Sequence, residues 1–479
     1  MNYRIIRYTL GMTLYIEAFC LIIPLLCAFF CSELNYVPYF LFTMALCAVC
    51  GLALSFKKPK DKTMYAKEGF IAVALSWIVI SVFGAIPFMI TGFIPNFFDA
   101  LFETVSGFTT TGASILTDIE ALPKCLLLWR SFTHWIGGMG VLVFLVAVLP
   151  LSGGQNMHLI KAESPGPAVS KLVPKVRSTA KILYLIYIGL TISEIILLKL
   201  GGLDWFESLA LSFGTAGTGG FGVKNSGIAE YVPYVQNVIT VFMILFGIDF
   251  SFYYLILARK LKSILKMEEV RGYLLIILTA ITVIMINCYG MYSNIFDNLR
   301  YTAFQVGSII TTTGYSTVDF NLWPELSKTI LLILMFIGAC AGSTGGGVKV
   351  SRIIIFLKGI FKEIKLAVHP SRTVKITMNG RMIEHETVRG VNVYMAAYIV
   401  IFFTALLVIS VDNFDFTTNF SAVAATLNNI GPGFNLVGPM ENFSLYSDFS
   451  KFVLTVAMLI GRLEIFPILV LFSKHTWRK

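Results

Sequence analysis

Long apolar runs separated by short polar segments are the dominant pattern along the chain. A helix needs about 20 apolar residues to cross a bilayer. Ten runs have roughly this length, at 5–31, 36–56, 69–92, 124–150, 180–200, 233–258, 272–291, 327–348, 390–411 and 450–473. Two runs come first, and the other eight form four pairs, each interrupted by a segment too short or too polar to span. This pattern predicts an all-α polytopic membrane protein with about ten transmembrane helices.

The four segments inside the pairs resemble one another. Each opens with an aromatic and an acidic residue, continues with about a dozen helix-compatible residues and ends in a stretch rich in Gly with Thr or Asn. Four such segments in equivalent positions predict a fourfold internal repeat with a pseudo-fourfold arrangement and four half-spanning pore helices. The predicted parts are two leading helices at 1–67 and pore repeats at 68–157, 158–260, 261–370 and 371–479.

Composition and charge agree with a membrane protein and predict its orientation. Of 479 residues, 56% are hydrophobic and only 13% are charged, whereas soluble proteins have about a quarter charged residues. The segments inside the pairs contain four Lys or Arg against fourteen Asp or Glu, and the connections on the other face contain 29 against 8. The positive-inside rule puts the second set, including both termini, in the cytoplasm. The net charge of +10 then reflects topology and attraction to the anionic lipid bilayer, and no nucleic acid is predicted as a partner.

The Gly-rich ends of the four segments are suited to a dehydrated cation. Irregular backbone at membrane depth must be buried in protein or line a water-filled cavity. The carboxyl ends of four half-spanning helices carry partial negative charge, and rings of backbone carbonyls can replace a cation's hydration shell. Because no carboxylate lies in these stretches, we expect neutral oxygen ligands and a monovalent ion. The predicted pore segments are 109–112, 218–221, 311–314 and 428–431.

Several acidic residues precede or follow these segments. Asp99, Glu103 and Asp118 are expected to raise the local cation concentration at the outer face without selecting the ion. The alternative is that each is a solvated carboxylate or one at a helix N-terminus. Thr residues in the pore segments are expected to stiffen an extended backbone through their β-branch.

A Gly-rich run at 338–347 interrupts the eighth apolar run. It approaches the phosphate-binding pattern GxxxxGK[ST], but Val348 stands where Lys is required and no strand precedes it. Two interpretations stay open: close packing of helices by small residues, or a flexible loop inside the membrane.

Several charged or titratable residues lie within apolar runs or near their ends, namely Arg130, His134, Glu194, Asp249 and Arg462. Arg462 is expensive to bury and therefore predicted to be functional, and Glu464 cannot pair with it because residues two apart do not face each other on a helix. A structural ion pair with another residue is the alternative. Arg130 and His134 are also embedded; His134 either titrates near neutral pH or makes an interfacial hydrogen bond.

The chain resembles the TrkH/TrkG family of bacterial potassium-uptake subunits, within the superfamily that includes KtrB and the plant HKT transporters. The resemblance covers nearly the whole chain. Its motifs are SGFTTTGAS at 106–114, GGMG at 137–140, AGSTGGGVK at 341–349, ATLNNIGPG at 425–433 and GRLE at 461–464. Together these motifs are far more specific than a single TTTG.

The resemblance implies a role for individual residues. Gly112, Gly220, Gly314 and Gly431 match the first Gly of the potassium-channel signature, and four glycines favour K⁺ over Na⁺; the several glycines of the second segment leave its register open by one residue. The preceding pairs would supply filter carbonyls: Thr110 and Thr111, Thr218 and Gly219, Thr312 and Thr313, Asn429 and Ile430. The gate loop would contain Gly338, Gly342, Gly345, Gly346 and Gly347, with the charge of Arg462 beside it.

The resemblance also implies K⁺ uptake across the bacterial inner membrane by conduction through this filter, gated by the loop and a cytoplasmic partner. A homodimer with a TrkA-like nucleotide-binding subunit is expected, with K⁺ as the only metal and no organic cofactor. A symporter coupled to H⁺ or Na⁺ and a carrier for another solute stay open as alternatives. An enzyme is not expected, because the sequence offers no constellation of catalytic residues.

Overall fold

A computed structural model of the chain describes residues 1–59, 65–148 and 176–477. Regular structure in these residues is almost entirely helical, as predicted, because a helix satisfies its own backbone hydrogen bonds where lipid cannot. The exception is a small antiparallel hairpin of Thr377–Met378 and Arg381–Met382. The predicted boundary at 157–158 and the end of the predicted run 124–150 lie outside the described residues.

The two leading spans pack closely on each other. The first consists of Tyr3–Cys20 and Ile22–Phe30, and the second is Val37–Ser55. Pro24 accounts for the break in the first, because its ring clashes with the carbonyl four residues earlier. A Cβ on Gly11 would lie 2.8 Å from the carbonyl oxygen of Gly51, so the two backbones meet at small residues, as is common between membrane helices.

Four short helices lie between pairs of longer ones, where the pore helices were predicted. They are Phe97–Phe108, Trp205–Gly217, Ile295–Ile310 and Phe416–Leu427. The longest has 16 residues, so at 1.5 Å per residue each is shorter than the roughly 30 Å hydrocarbon core. We call these the first to fourth pore helices.

The polar residues that open the four segments cap these helices. In each case a side-chain oxygen accepts a hydrogen bond from a backbone N–H of the first turn, which would otherwise have no partner. The capping residues are Asn96, Asp204, Asn294 and Asp415. The Asn or Asp residue just before each of these helices is therefore a helix-start signal.

The helix before each pore helix is long and continuous. These outer helices are Ala66–Ile90, Val176–Leu200, Glu268–Asn287 and His385–Ile409. Together with the leading pair they correspond to the six helices, among the described residues, that are long and apolar enough to cross a membrane on their own. Leu200, Leu278 and Leu407 are exposed on them, which suits contact with lipid.

The inner helices, which follow the pore helices, are mostly broken. Lys124–Val148 is continuous, but Pro233–Phe246 and Phe250–Leu257 are bent by 90° at the intervening break; the short helix Leu261–Ile264 follows. The third inner helix, Glu325–Ile337, resumes only at Val350–Val368. The fourth, Asp448–Arg462, is followed by Phe466–Phe472 and Lys474–Trp477.

The interruption expected at 338–347 is present, but continuous helices at 233–258 and 450–473 are wrong predictions. In the last case, Pro467 prevents continuation across 463–465, and Glu464 and Ile465 have φ of 57° and 70°. The third inner helix ends at Ile337, directly before the Gly-rich run. Apolar content located these segments but did not predict their backbone path.

Candidate ion-conduction site

All four pore helices end in the same hydrogen-bonded turn. Two successive N–H groups beyond the helix donate back to carbonyls of its last turn, with N···O distances of 2.8 to 3.2 Å. The bonds are Thr110 to Gly107 and Thr111 to Ser106, Thr218 to Thr215 and Gly219 to Gly214, Thr312 to Ile309 and Thr313 to Ser308, and Asn429 to Thr426 and Ile430 to Ala425. This is the Schellman motif, which requires a left-handed residue just beyond the helix.

The left-handed residue is Thr or Asn in every segment, although Gly usually occupies this position. Thr110, Thr218, Thr312 and Asn429 have φ of 55°, 55°, 59° and 56°. The expectation that Thr stiffens an extended backbone is wrong at these positions, because the helix ending imposes the opposite sign of φ. A β-branched residue held this way costs on the order of 1–3 kcal/mol, and such strain clusters at functional sites.

A glycine with positive φ follows two residues after each of these positions. Gly112, Gly220, Gly314 and Gly431 have φ of 80°, 80°, 85° and 103°. In the second segment, the backbone therefore places Gly220 rather than Gly219 at the position equivalent to Gly112. Gly219 itself is not among the residues with positive φ.

The four segments form a closed circle of close backbone contacts. Each of these glycines faces the carbonyl of the residue before the glycine of the next segment. The pairs are Gly112 with Gly219, Gly220 with Thr313, Gly314 with Ile430, and Gly431 with Thr111. In the first three, a Cβ on the glycine would overlap the carbonyl oxygen, and in the last it would lie 2.9 Å away. The segments therefore surround one axis, and glycine is required sterically at each junction.

The surroundings of this axis are buried and contain neutral oxygen atoms. The Thr and Asn residues of the four segments are fully buried, and the carboxyl ends of the pore helices point their partial negative charge toward the same region. The described residues contain no group of three or more His, Cys, Asp or Glu arranged to hold a metal ion. Backbone carbonyls and the side chains of buried Thr and Asn residues supply the neutral oxygen atoms of this region.

Residues 338–349, which we call the gate loop after their predicted role, lie against two of the four segments. The loop leaves the helix at Gly338, whose Cβ position is next to the backbone of Gly347, so it closes on itself. The N–H of Gly346 donates to Thr312 Oγ1 at 2.6 Å. A Cβ on Gly346 would overlap the carbonyl oxygen of Asn428, and one on Gly345 would lie 2.8 Å from that of Thr311. The small residues of the loop thus permit direct contact with the third and fourth segments.

A carboxylate fastens both ends of the gate loop. Glu269 Oε1 accepts the N–H of Ala341 at 2.6 Å and the N–H of Ser351 at 3.0 Å. Glu269 is buried and belongs to the third outer helix, so the loop is held from outside as well as by its own backbone. The sequence contains no local signal for this role, because Glu269 stands beside Glu268 in a segment that its charges predict to be cytoplasmic.

Arg462 lies beside the gate loop and joins it to the first inner helix. Its guanidinium donates to the carbonyl of Thr344 at 2.8 Å and to that of Gly137 at 2.7 Å. Glu464 pairs instead with Arg352, at the start of the helix that follows the loop. As predicted, Arg462 and Glu464 do not share a face, since the helix ends between them.

Lys349 is a buried cation, although it belongs to the Lys and Arg residues that were counted on the predicted cytoplasmic face. It is only 3% exposed, and its ammonium group donates to the carbonyl of Gly345 within the gate loop. Its backbone has φ of 84°. The AGSTGGGVK motif contains Lys349, but its burial depends on the path of the loop and has no local sequence signal.

Glu103 is not an outer-face acid, contrary to prediction. It is 1% exposed and pairs with Arg130 on the first inner helix. Its carboxylate also accepts from Ser114 Oγ at 3.1 Å and from the N–H of Ile115 at 3.0 Å, while Arg130 donates to the carbonyl of Gly222 at 3.2 Å. The pair thus connects backbone just beyond the first and second segments. Of the other two acids, Asp99 pairs with Lys451 and Asp118 accepts from Asn225 at the surface.

His134 also contacts the pore segments and is fully buried rather than interfacial. Its Nδ1 lies 2.8 Å from the carbonyl oxygen of Gly107, and its Nε2 accepts the N–H of Phe221 at 3.3 Å. One nitrogen must donate while the other accepts, so this arrangement requires the neutral Nδ1–H tautomer. The alternative of a histidine that titrates near neutral pH does not fit these bonds.

Long helices with exposed apolar side chains surround a closed circle of irregular backbone. This combination is typical of a multi-pass membrane protein with backbone carbonyls around a central axis. The family model TrkH, described as a cation transport protein, matches residues 37–478. The chain belongs to the TrkH family of cation transport proteins. It is accordingly a transporter and not an enzyme, as the sequence indicated.

Individual relatives extend over the full chain. The Trk system potassium uptake protein TrkH of Escherichia coli (strain K12) is 34% identical, with 100% of both chains covered. The Trk system potassium uptake protein TrkG of the same organism is 32% identical, with 99% of both covered. The crystal structure of the potassium transporter TrkH from Vibrio parahaemolyticus matches with a TM-score of 0.89 at 32% identity, covering 100% of both chains.

Proposed function

We propose that the chain takes up K⁺ by selective conduction along the axis enclosed by the four pore segments. The observation that carries this proposal is the closed circle in which each segment glycine faces a carbonyl of the next segment. Rings of carbonyl oxygens replace the hydration shell of a monovalent cation. The relatives named above are potassium uptake proteins, which supports K⁺ as the ion.

The filter residues in this proposal are those predicted from the sequence. Carbonyls preceding and including the four glycines would coordinate the ion, and the glycines would permit the close approach of neighbouring segments. A side chain at any junction would displace a carbonyl of the next segment, since the Cβ position is already occupied by backbone. Selectivity should therefore depend on glycine at all four positions.

We further propose that the gate loop obstructs the axis below the filter and moves to open it. Its contacts with Thr312 and with the carbonyl of Asn428 support this position. The cations of Arg462 and Lys349, held by loop carbonyls, would add an electrostatic barrier to K⁺ while the loop is in place.

Orientation and assembly complete the proposal. The pore helices would enter from outside the inner membrane, with both termini in the cytoplasm, as the distribution of Lys and Arg suggests. The relatives are components of a Trk system, which supports regulation by a further subunit, for which a TrkA-like nucleotide-binding protein on a homodimer is the expected arrangement. Co-purification of the full chain with such a subunit would test this, and failure to associate would contradict it.

The filter is tested by K⁺ and Na⁺ flux in liposomes for the wild type and Gly112→Ser. A Cβ at Gly112 would overlap the Gly219 carbonyl, so the K⁺ preference over Na⁺ should fall. Gly189→Ser is the matched control, because Gly189 has open space at its Cβ position. Equal selectivity in Gly112→Ser and the wild type would contradict the filter assignment.

Channel conduction and coupled symport are separated by recording from the reconstituted chain. Unitary K⁺ currents without a proton or sodium gradient are the expected result for conduction. A fixed coupling ratio between K⁺ and H⁺ or Na⁺, with no unitary currents, would instead support a symporter.

A further inference from the structure

The second pore segment differs from the others in having no side chain at the position before its glycine with positive φ. The equivalent residues are Thr111, Gly219, Thr313 and Ile430. In the first and third segments, the Thr hydroxyls lie 2.8 and 2.7 Å from those of Thr109 and Thr311. The second segment makes no such bond, because Gly219 lacks a side chain.

Backbone conformation does not explain the glycine at this position. The φ angle of Gly219 is not positive, in contrast to that of Gly220. The reason is instead His134: a Cβ on Gly219 would overlap the imidazole ring at Cγ, Nδ1 and Cδ2. The ring of His134 thus occupies the space that a side chain at Gly219 would fill.

The same imidazole holds two parts of the site together. Its Nδ1–H donates to the carbonyl of Gly107 in the last turn of the first pore helix, and its Nε2 accepts from Phe221, directly after Gly220. The ring of Phe221 lies 4.2 Å from the imidazole, measured between centroids. Arg130, one helical turn before His134, lies over the ring of Phe221, with its guanidinium carbon 3.7 Å from the ring centroid.

We infer that His134 is a positioning residue for ion selectivity. Its ring takes the place, in the second pore segment, of the side chain that Gly219 lacks. In this way it keeps Gly220 in line with the other three glycines. It does not touch the ion. It acts by fixing the N–H of Phe221 relative to the first pore helix, so that the carbonyls on either side of Gly220 face the axis. This inference rests on the proposed filter function.

The test measures K⁺ against Na⁺ flux in liposomes for two single variants and their combination. His134→Ala empties the space and leaves the Phe221 N–H and Gly107 carbonyl without their partner; Gly219→Thr collides with the ring. The first change removes the hydrogen bonds of the imidazole, and the second displaces the ring from them. The K⁺ preference should fall by about tenfold in each single variant. In His134→Ala/Gly219→Thr, the Thr side chain fills the emptied space, and part of the preference should return.

Two conservative variants separate positioning from general stability. His134→Gln extends an amide oxygen toward the Phe221 N–H, whereas His134→Asn reaches only the Gly107 carbonyl. Selectivity should be retained better in the Gln variant than in the Asn variant. Trp135→Phe is the control for packing on the same helix: it keeps an aromatic ring against Phe213 and loses only the hydrogen bond to Thr191, so its selectivity should equal that of the wild type.

Gly112→Ser in the same assay distinguishes the two levels of the proposal. If Gly112→Ser lowers selectivity while both His134→Gln and His134→Asn leave it unchanged, the role of His134 is refuted and the filter stands. If Gly112→Ser also has no effect, the filter assignment itself fails. A double variant no more selective than either single variant would also overturn the inference that the ring stands in for a side chain.

Discussion

The carboxylate of Glu269 provides a direct way to loosen the proposed gate. Its Oε1 joins Ala341, near the start of the gate loop, to Ser351, just beyond its end. Because Ala341 lies within the loop and Ser351 lies beyond it, a loop that swings away from the filter and carries Ala341 with it breaks the first of these bonds. Glu269→Ala should therefore favour the open arrangement and raise K⁺ flux in the absence of any partner.

The magnitude follows from the type of bond that is lost. A hydrogen bond to a charged group contributes about 1.5–3 kcal/mol, and every 1.4 kcal/mol changes an equilibrium constant about tenfold. Loss of one such bond should raise the population of the open arrangement roughly ten- to hundredfold. Glu269→Gln keeps an acceptor oxygen but loses the charge, so its effect should be smaller.

The assay is ⁸⁶Rb⁺ uptake into liposomes containing the purified chain without added subunits. Glu268→Ala is the matched control: it removes the neighbouring carboxylate, which pairs with Lys358 outside the loop. Uptake should rise in the order wild type, Glu269→Gln, Glu269→Ala, with Glu268→Ala near the wild type. Equal uptake by all four proteins, or a fall in Glu269→Ala, would refute the view that Glu269 holds the loop closed.

Two other predictions concern the remaining contacts. Arg462→Gln loses the charged donors to Thr344 and Gly137, so partner-free Rb⁺ uptake should rise while the K⁺ preference stays constant; an unchanged uptake would contradict the gate role. Asp415→Ala removes the cap of the fourth pore helix and should lower the free energy of unfolding by about 1 kcal/mol, measured by thermal unfolding in detergent. Since hydrogen bonds, foremost that from the Thr418 hydroxyl, lower the pKa of Asp415, this stabilisation should be present at neutral pH and be lost only as the pH falls through that lowered pKa; a difference that persists in acid would contradict it.

The positions of the pore segments were predictable because lipid imposes a strong rule on the backbone. Polar, Gly-rich sequence between apolar runs has few acceptable structures at membrane depth, so four such segments stood out. The choice of Gly112 and Gly314 rested on the family resemblance, and both have a positive φ and a close contact with the backbone of the next segment. The left-handed conformation of Thr110 was not predictable, because the ending of the pore helix overrides the local preference of a β-branched residue.

Buried charges were the main failure of sequence reasoning. Glu103 and Lys349 look like surface residues, since charge counting assumes that a charged side chain near a helix end reaches water. The partner of Glu103 is Arg130, 27 positions away, and Lys349 bonds to a carbonyl whose direction depends on the fold of the gate loop. Neither partner has a signal within reach of a local pattern.

The places where the four repeats differ from one another are the places where conduction could be controlled. The four helix endings and the circle of glycines are alike, so they offer no preferred place for a switch. The third inner helix alone gives way to the gate loop, and that loop contacts the third and fourth segments while Arg462 ties it to Gly137 in the first inner helix. The helix Val350–Val368 continues from the loop and is joined through Arg352 to Glu464. A displacement of this helix would therefore act on the loop and on Arg462 together, because Glu464 and Arg462 lie on either side of the same helix end.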